Sequence, residues 1–514
     1  MNHTARLTRS MVLGAVMLFG VAASLSPSVL HAQDLKAFEK KVTEFTLDNG
    51  LHFIIVERHD APVISFHTYA NVGSVNEVVG ITGIAHMFEH MAFKGTTTIG
   101  TRDPEGERKC MDHADALYDD LRRERAKGSR ADPDRVKELE EQFKAADEAC
   151  RKFIVPGEYD KILTSNGASG LNASTWYDAT RYIVNLPSNK LELWMSMESE
   201  RFLQPVFREF YQEKNVVTEE RRMRTDNQPI GKLLEETVAA AYKAHPYGVS
   251  PIGHMSDIHS YTRAEARNWF KTYYGPNNLT ICLAGDVDPV EAKKMAETYF
   301  GRLPRRPDIP IVDTVEPPQL GERTVTIIEN SQPVVMIAYH KPSIYHPDAS
   351  VFDTISDIMG NGRTSRLNRV LVKEKKIAIA AGGFGGIIGG KYPNLFLFFA
   401  IPSQGHTAEE CKTAILEEIE KLKSEPATPE ELAKSKTRSR AGVIRQLASN
   451  NGLSSQLAGY SALYGDWRRL FTELDDIAAV TADDVQRVAE KYFTRKNRTV
   501  GLIQTADKDV KAES

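Results

Sequence analysis

The 514-residue sequence lacks an excess of either charge, holds few cysteines and has almost no long apolar run, and each shortage removes a class of protein. Its 65 basic residues meet 69 acidic ones, for a formal net charge of −4. A nucleic-acid partner would call for a basic excess, so none is expected. Four cysteines cannot carry a disulfide-dense scaffold, so folding rests on the 41% of residues that are hydrophobic. Beyond residue 32 no stretch is apolar for long enough to cross a bilayer. What remains is the composition of a soluble globular protein, too long for one ordinary core and suited to two domains or more.

The one long apolar run, Met11 to Leu25, follows Arg6 and Arg9 and is broken by Ser26-Pro27-Ser28. That is the layout of an export signal over residues 1–32, cleaved after Ala32, although Leu30 is large for the −3 position. A membrane anchor is the rival reading, opposed by the shortness of the run. Cleavage removes two arginines and no acids, leaving a mature charge of about −6. Export implies a disulfide-permissive compartment, the periplasm, with secretion as the alternative.

The chain repeats itself. Thr262 to Leu283 aligns without gaps on Thr481 to Leu502 at an offset of 219, matching Tyr273/Tyr274 with Tyr492/Phe493, Asn278 with Asn497 and Thr280 with Thr499. A repeat that long means a duplicated domain, not a solenoid. We read a first domain over 33–302, a proline-rich linker over 303–320 and a homologous second domain over 321–509. Residues 42–72 read as strands around the Asp48-Asn49-Gly50 turn. Residues 190–226 and 262–274 read as helices.

Residues 101–155 fit neither copy. They are highly charged, with both signs, and read as two helices with solvated faces around Lys127-Gly128-Ser129. Val136, Leu139, Phe143, Ala146, Cys150 and Phe153 form a heptad stripe on the second helix, and Cys110, Ala114, Leu117 and Leu121 form one on the first. Facing residues of an antiparallel hairpin have a constant sum of positions, as do the pairs 110/150, 114/146, 117/143 and 121/139. The register places Cys110 opposite Cys150 and predicts a disulfide, with two free thiols in an apolar seam as the alternative. Cys282 and Cys411 read as ordinary core residues.

His86-Met-Phe-Glu89-His90 carries the chemistry. On a helix, positions i and i+4 share one face, so both imidazoles can reach a single ion. Glu89 projects beside them, within reach of an attacking water. A hydrolytic zinc site has three protein ligands, so a carboxylate elsewhere must complete the set.

With this motif near the N-terminus of a duplicated domain, the sequence resembles the pitrilysin/insulinase metallopeptidases, or inverzincins, which include the mitochondrial processing peptidases. The resemblance covers nearly all of the mature chain, through LDNGL (47–51), AHMFEHMAFKGT (85–96), LNASTWYDATRYIVNLP (171–187), EKNVVTEE (213–220), HPYGVSPIG (245–253) and GNGRTSRLNRVLVKE (360–374). It implies an α+β fold of two homologous domains, each a mixed β-sheet covered by helices, with the 101–155 hairpin as an insertion. It implies one Zn²⁺ per chain, held by His86, His90 and Glu220, with Glu89 as general base and Glu213 as a carboxylate that orients the site. Glu219 is the rival for the third ligand, but on a helix it points about 100° away from Glu220. Asn172, Ala173 and Ser174 resemble the edge strand on which an extended peptide pairs.

One family feature is missing. The substrate-contacting arginine and tyrosine that follow a Ser-Arg-Leu start, here Ser365-Arg366-Leu367, are replaced by Val372 and Ile379. Neither side chain can donate a hydrogen bond. The expected activity is therefore a zinc endopeptidase or oligopeptidase that draws the missing pair from a homologous subunit, as a heterodimer or homodimer. The alternative is a non-catalytic peptide-binding or assembly subunit. The glycine-rich 380–390 that follows reads as a bulged hairpin rather than a mobile loop.

Overall fold

The computed structural model describes residues 38–506, so the expected export signal lies outside the described residues. Two sheets organise the chain, each made from one half of it. The first contains β1 (Val42–Thr46), β2 (His52–Glu57), β3 (Val63–Ala70), β4 (Ser169–Thr175), β5 (Thr180–Pro187) and β6 (Leu279–Gly285) in the order β1-β2-β6-β3-β5-β4. The second contains β7 (Arg323–Glu329), β8 (Val334–Lys341), β9 (Ala378–Gly385), β10 (Asn394–Pro402) and β11 (Arg498–Thr505) in the order β7-β11-β8-β10-β9. Without β1 the two orders coincide. In each sheet one pair is parallel, β2 with β6 and β7 with β11, and the other neighbours are antiparallel.

The repeat explains the match. Thr262 and Thr481 each cap a helix reciprocally with the residue three positions on, Glu265 and Asp484. Asn278 then donates to the Tyr273 carbonyl and Asn497 to the Tyr492 carbonyl, both at 2.8 Å, fixing the same turn into β6 and β11. Both strands run through the middle of their sheets, which is why β6 (LTICLAG) is apolar and buried throughout rather than alternating.

Each half lends the other a helix. The helix Pro229–Ala241 packs on β7, β8 and β11 of the second sheet, and the helix Asn450–Tyr464 packs on β3 and β6 of the first. Strand β8 shows the consequence. Val335, Ile337 and Tyr339 join the core of their own half, while Val334, Met336 and Ala338 join the layer containing Leu233, Val238 and Ala241 of the borrowed helix. Residues 303–320 form neither helix nor strand. Glu316 straps them to the first half by accepting from the backbone N–H groups of Lys243, Ala244 and His245.

Cys110 and Cys150 are joined, with their Cα atoms 5.6 Å apart, across helices Pro104–Arg125 and Pro133–Cys150. Cys282 and Cys411 are free and buried. The hairpin's charged faces are not all solvated. A second stripe, Glu107, Met111, Ala114, Tyr118 and Leu121, turns inward and docks the hairpin on the body. Arg208 binds Glu107 at 2.8 Å with both side chains 2% exposed. Arg263 and the Tyr211 hydroxyl both donate to Asp115, at 2.7 and 2.8 Å.

Candidate metal centre

The motif lies on the helix Ile84–Met91. Gly83 opens it at φ +86, where a Cβ would sit 2.5 Å from the Ile252 carbonyl oxygen, so a side chain is excluded twice over. The first N–H groups have a dedicated partner: the two Glu77 carboxylate oxygens accept from Gly83 and Ala85, each at 2.8 Å. Ile84, Ala85, Met87, Phe88 and Met91 anchor the helix in the core, where Phe88 packs 4.1 Å from the Tyr274 ring. The opposite face carries His86, Glu89 and His90 toward a cleft. Glu213 and Glu220 come from the helix Phe210–Arg221, which runs directly into one π-helical turn, Arg222–Asp226.

These elements bring one nitrogen from each of His86 and His90 and one oxygen from Glu220 within 4.8 Å of one another. Glu220 Oε2 is 3.6 Å from His86 Nε2 and 3.4 Å from His90 Nε2. A tetrahedral ion with bonds of about 2.0–2.1 Å separates its ligand atoms by roughly 3.3 Å, so the set fits zinc in chemistry and spacing. His86 Nδ1 and Glu89 Oε2 are buried without hydrogen-bond partners among the described residues. Glu219 turns away, mostly exposed, to pair with Arg222.

Electrostatics sort the roles. Burial, with the charge of His90 beside it, pushes the pKa of His86 down to about 4. Burial also opposes a charge on His90, but hydrogen bonding to Glu213 and Glu220 prevails and holds it up at about 9. The carboxylates that draw a proton to His90 would equally draw a divalent cation. Burial raises the Glu89 carboxyl, only partly offset by a hydrogen bond from Thr175. Glu213 is held low despite burial, because His90 and Lys94 both face it, Lys94 Nζ at 2.5 Å. Hydrogen bonding to His90 leads the lowering of Glu220, and Arg224 adds to it with a 2.8 Å contact from the π-helical turn.

The cleft has a volume of about 970 Å³ and joins His86, Glu89, His90 and Glu220 to Asn172, Ala173 and Ser174 of β4. β4 ends its sheet, so one row of its backbone groups has no strand partner. Trp176, Val216 and Met223, each at least half exposed, supply an apolar wall. Val372 is half-buried against the second core and Ile379 is exposed, and the segment after β9 brings Ile387 and Ile388 into a pocket beside His86. That segment is anchored, because Gly390 and Lys391 donate their N–H groups to Asp178.

Sequence reasoning missed Glu77, Lys94 and Arg224. For Arg224 a signal was present, since it stands four residues after Glu220 on a continuing helix. Glu77 and Lys94 act through loop geometry and a distant carboxylate, which no local pattern reports.

Comparison with known proteins supplies the family. The chain is 30% identical over 516 residues to the zinc protease PqqE of Helicobacter pylori, covering 98% of this chain and all of that one. It belongs to the M16, or insulinase, peptidase family. Residues 53–105 match the family model "Insulinase (Peptidase family M16)", a match that stops at the foot of the hairpin. Residues 260–439 match the M16 model described as the inactive domain. A crystal structure of a protease from Helicobacter pylori, 29% identical, superposes with a TM-score of 0.75 over 90% of this chain and 99% of that one. The M16 fold also aligns with the periplasmic protease PqqL from Escherichia coli at 19% identity and a TM-score of 0.67, over 91% of this chain but 48% of that one. No described helix is long and apolar enough to cross a membrane.

Proposed function

We propose that this M16 chain is a zinc endopeptidase or oligopeptidase in which His86, His90 and Glu220 hold one Zn²⁺. Zinc, when bound, supplies a Lewis acid that acidifies water and polarises the scissile carbonyl. Glu89 Oε2, buried and without a competing partner, takes the proton of the attacking water and returns it to the leaving amine. Its raised pKa suits an acid–base group that must do both. Glu213, pinned by Lys94, orients His90 from behind. An extended peptide adds to the open edge of β4 through backbone hydrogen bonds along Asn172, Ala173 and Ser174. The observation that carries this reading is the single cleft shared by the three donor atoms, Glu89 and that free edge. On the same reading, residues 1–32 direct export and the mature chain, with domains over 33–302 and 321–509, works in the periplasm.

A homologous second subunit completes the enzyme. Val372 and Ile379 offer no donor where the family places its substrate-binding pair, and losing a donor to a developing oxyanion costs roughly 10²–10³-fold in rate. The same absence favours a second reading, a subunit that binds peptide and zinc but does not turn over alone. Elemental analysis of the purified chain should give one zinc per chain. Hydrolysis of a fluorogenic peptide, with and without a co-purifying homologue, separates the two readings. A chain that takes up no zinc at saturation would end both.

A further inference from the structure

On the face of the first sheet turned toward the second half, one cross-strand row holds His67, Ile183 and Asn172, and the next holds Tyr69, Arg181 and Ser174. The helix Asn450–Tyr464 lies over these strands, and Asn451, Gly452 and Ser455 from its first turns close a pocket of about 280 Å³. His67 is only 2% exposed, yet neither ring nitrogen has a hydrogen-bond partner among the described residues. A buried polar ring without a partner costs stability unless a ligand supplies one. Burial, reinforced by the charge of Arg181, brings its pKa down to about 3, so the ring is neutral and offers one N–H. Arg181 stands exposed at the mouth, its guanidinium 5.3 Å from the Tyr69 ring centroid, and no acidic side chain lines the pocket. The start of the 15-residue helix adds the positive end of its dipole.

A guanidinium, a neutral N–H donor, side-chain amides and a helix start, with no opposing acid, make a receptor for a small anion. We infer that this pocket holds a carboxylate of the bound peptide, either an acidic side chain or the chain terminus. The pocket shares Asn172, Ala173 and Ser174 with the metal cleft, so a peptide paired on β4 would reach both. This rests on the reading of β4 as the substrate strand.

The test offers the zinc-loaded full chain fluorogenic peptides of one sequence, with Asp or Glu placed at successive positions. Each is matched by its Asn or Gln counterpart and made with a free or an amidated C-terminus. An acid at one position, or the free terminus, should be cleaved about tenfold better than its amide, as one charged hydrogen-bonding group warrants. That ratio should fall to about one in Arg181→Gln, an exposed site whose substitution leaves the fold intact, and in His67→Phe if that variant folds. A preference abolished by amidation of the terminus assigns the terminal carboxylate, and one indifferent to it assigns the side chain. Equal cleavage of every acid and amide pair overturns the carboxylate pocket and leaves the peptidase reading standing. If no peptide is hydrolysed, fluorescence anisotropy of the same labelled peptides decides. An acid preference erased by R181Q then sustains the pocket while the peptidase reading fails, and equal binding overturns the pocket.

Discussion

The two halves of the chain share one five-strand frame but close the same joint differently. In each, a helix following the second strand of the frame along the chain faces the helix that precedes the exchanged one. In the first half these are Ile84–Met91 and Phe210–Arg221, and their facing groups are two imidazoles and the carboxylates of Glu213 and Glu220. In the second half they are Ala349–Met359, which carries no histidine, and Pro429–Leu447. There Asp357 accepts from Arg438 at 2.9 Å and from Ser435 at 3.0 Å, and Arg366 grips Glu431 at 2.7 and 2.8 Å. The carboxylates of one joint face two imidazoles as well as Lys94 and Arg224, and those of the other are held by the guanidinium groups of Arg438 and Arg366. A duplicated frame can thus keep its geometry while its joints diverge in their side chains; the match to the M16 model described as the inactive domain, residues 260–439, runs from the end of the first half through much of the second.

The sharpest way to break this contrast is Glu89→Gln. Turnover should fall by about 10³–10⁴-fold while zinc stoichiometry stays at its wild-type value, since Glu89 is assigned to the proton and not the metal. Loss of zinc with the substitution would make Glu89 a ligand and redraw the first joint. Next in size is the hairpin, for which the second half has no counterpart. The Cys110–Cys150 disulfide closes a 40-residue separation and should contribute about 4 kcal/mol in the chain-entropy model. Replacing both cysteines by serine should lower the denaturation midpoint accordingly. The unreduced, denatured wild type should show two alkylatable thiols by mass spectrometry, from Cys282 and Cys411; four would mean that the staple does not form.

A smaller and paired effect separates the joints themselves. Glu220→Ala should weaken zinc binding by at least about 100-fold, more than typically follows loss of an outer carboxylate. Asp357→Ala should leave zinc affinity untouched and cost stability alone, about 1–2 kcal/mol for the lost charged hydrogen bonds. Competition with a chromophoric chelator measures the first, and urea unfolding the second. Equal zinc affinities in the two variants would erase the distinction drawn between the halves.

The frame was legible in sequence because its determinants are local. Threonine caps and turn asparagines recur at a fixed offset, and a histidine pair four apart needs only helical periodicity. Glu220 was legible through family resemblance alone, because no period connects a carboxylate to a helix 130 positions upstream. The hairpin shows the opposite limit. Its heptad stripe located the disulfide, yet Glu107 and Asp115 read as solvated charges. Their partners Arg208 and Arg263 are far along the chain, and burial of such a pair leaves no mark on local composition. His67 was invisible for a similar reason: on a strand it looks like any inward residue until the borrowed helix covers it.

The least conspicuous difference between the halves lies on the two facing helices, at Lys214. Its ammonium is buried and donates to the Tyr118 hydroxyl at 2.6 Å and to the carbonyls of His259 and Tyr261, both at 2.9 Å, so it joins the hairpin to the helix that carries Glu213 and Glu220. Burial, with Arg122 and Arg125 nearby, brings its pKa down to about 7, against about 10.4 in an unfolded chain. Between those values the unfolded state binds more protons than the folded one, so stability from this group rises with pH across the window. Below about pH 7 both states are protonated and the full cost of burying the charge is present. On the counterpart helix Lys434 is exposed and paired with Glu430, so Lys434→Met serves as the control. Chemical unfolding at pH 7 and pH 9 should show wild type gaining stability relative to Lys214→Met as pH rises, while Lys434→Met follows wild type. The Lys214→Met chain should also be weaker at both pH values, because the Tyr118 hydroxyl and the Tyr261 carbonyl lose a buried donor. An unaltered pH slope in Lys214→Met would mean that the ammonium is solvated in the folded chain, and the hairpin would then rest on Arg208 and Arg263 alone.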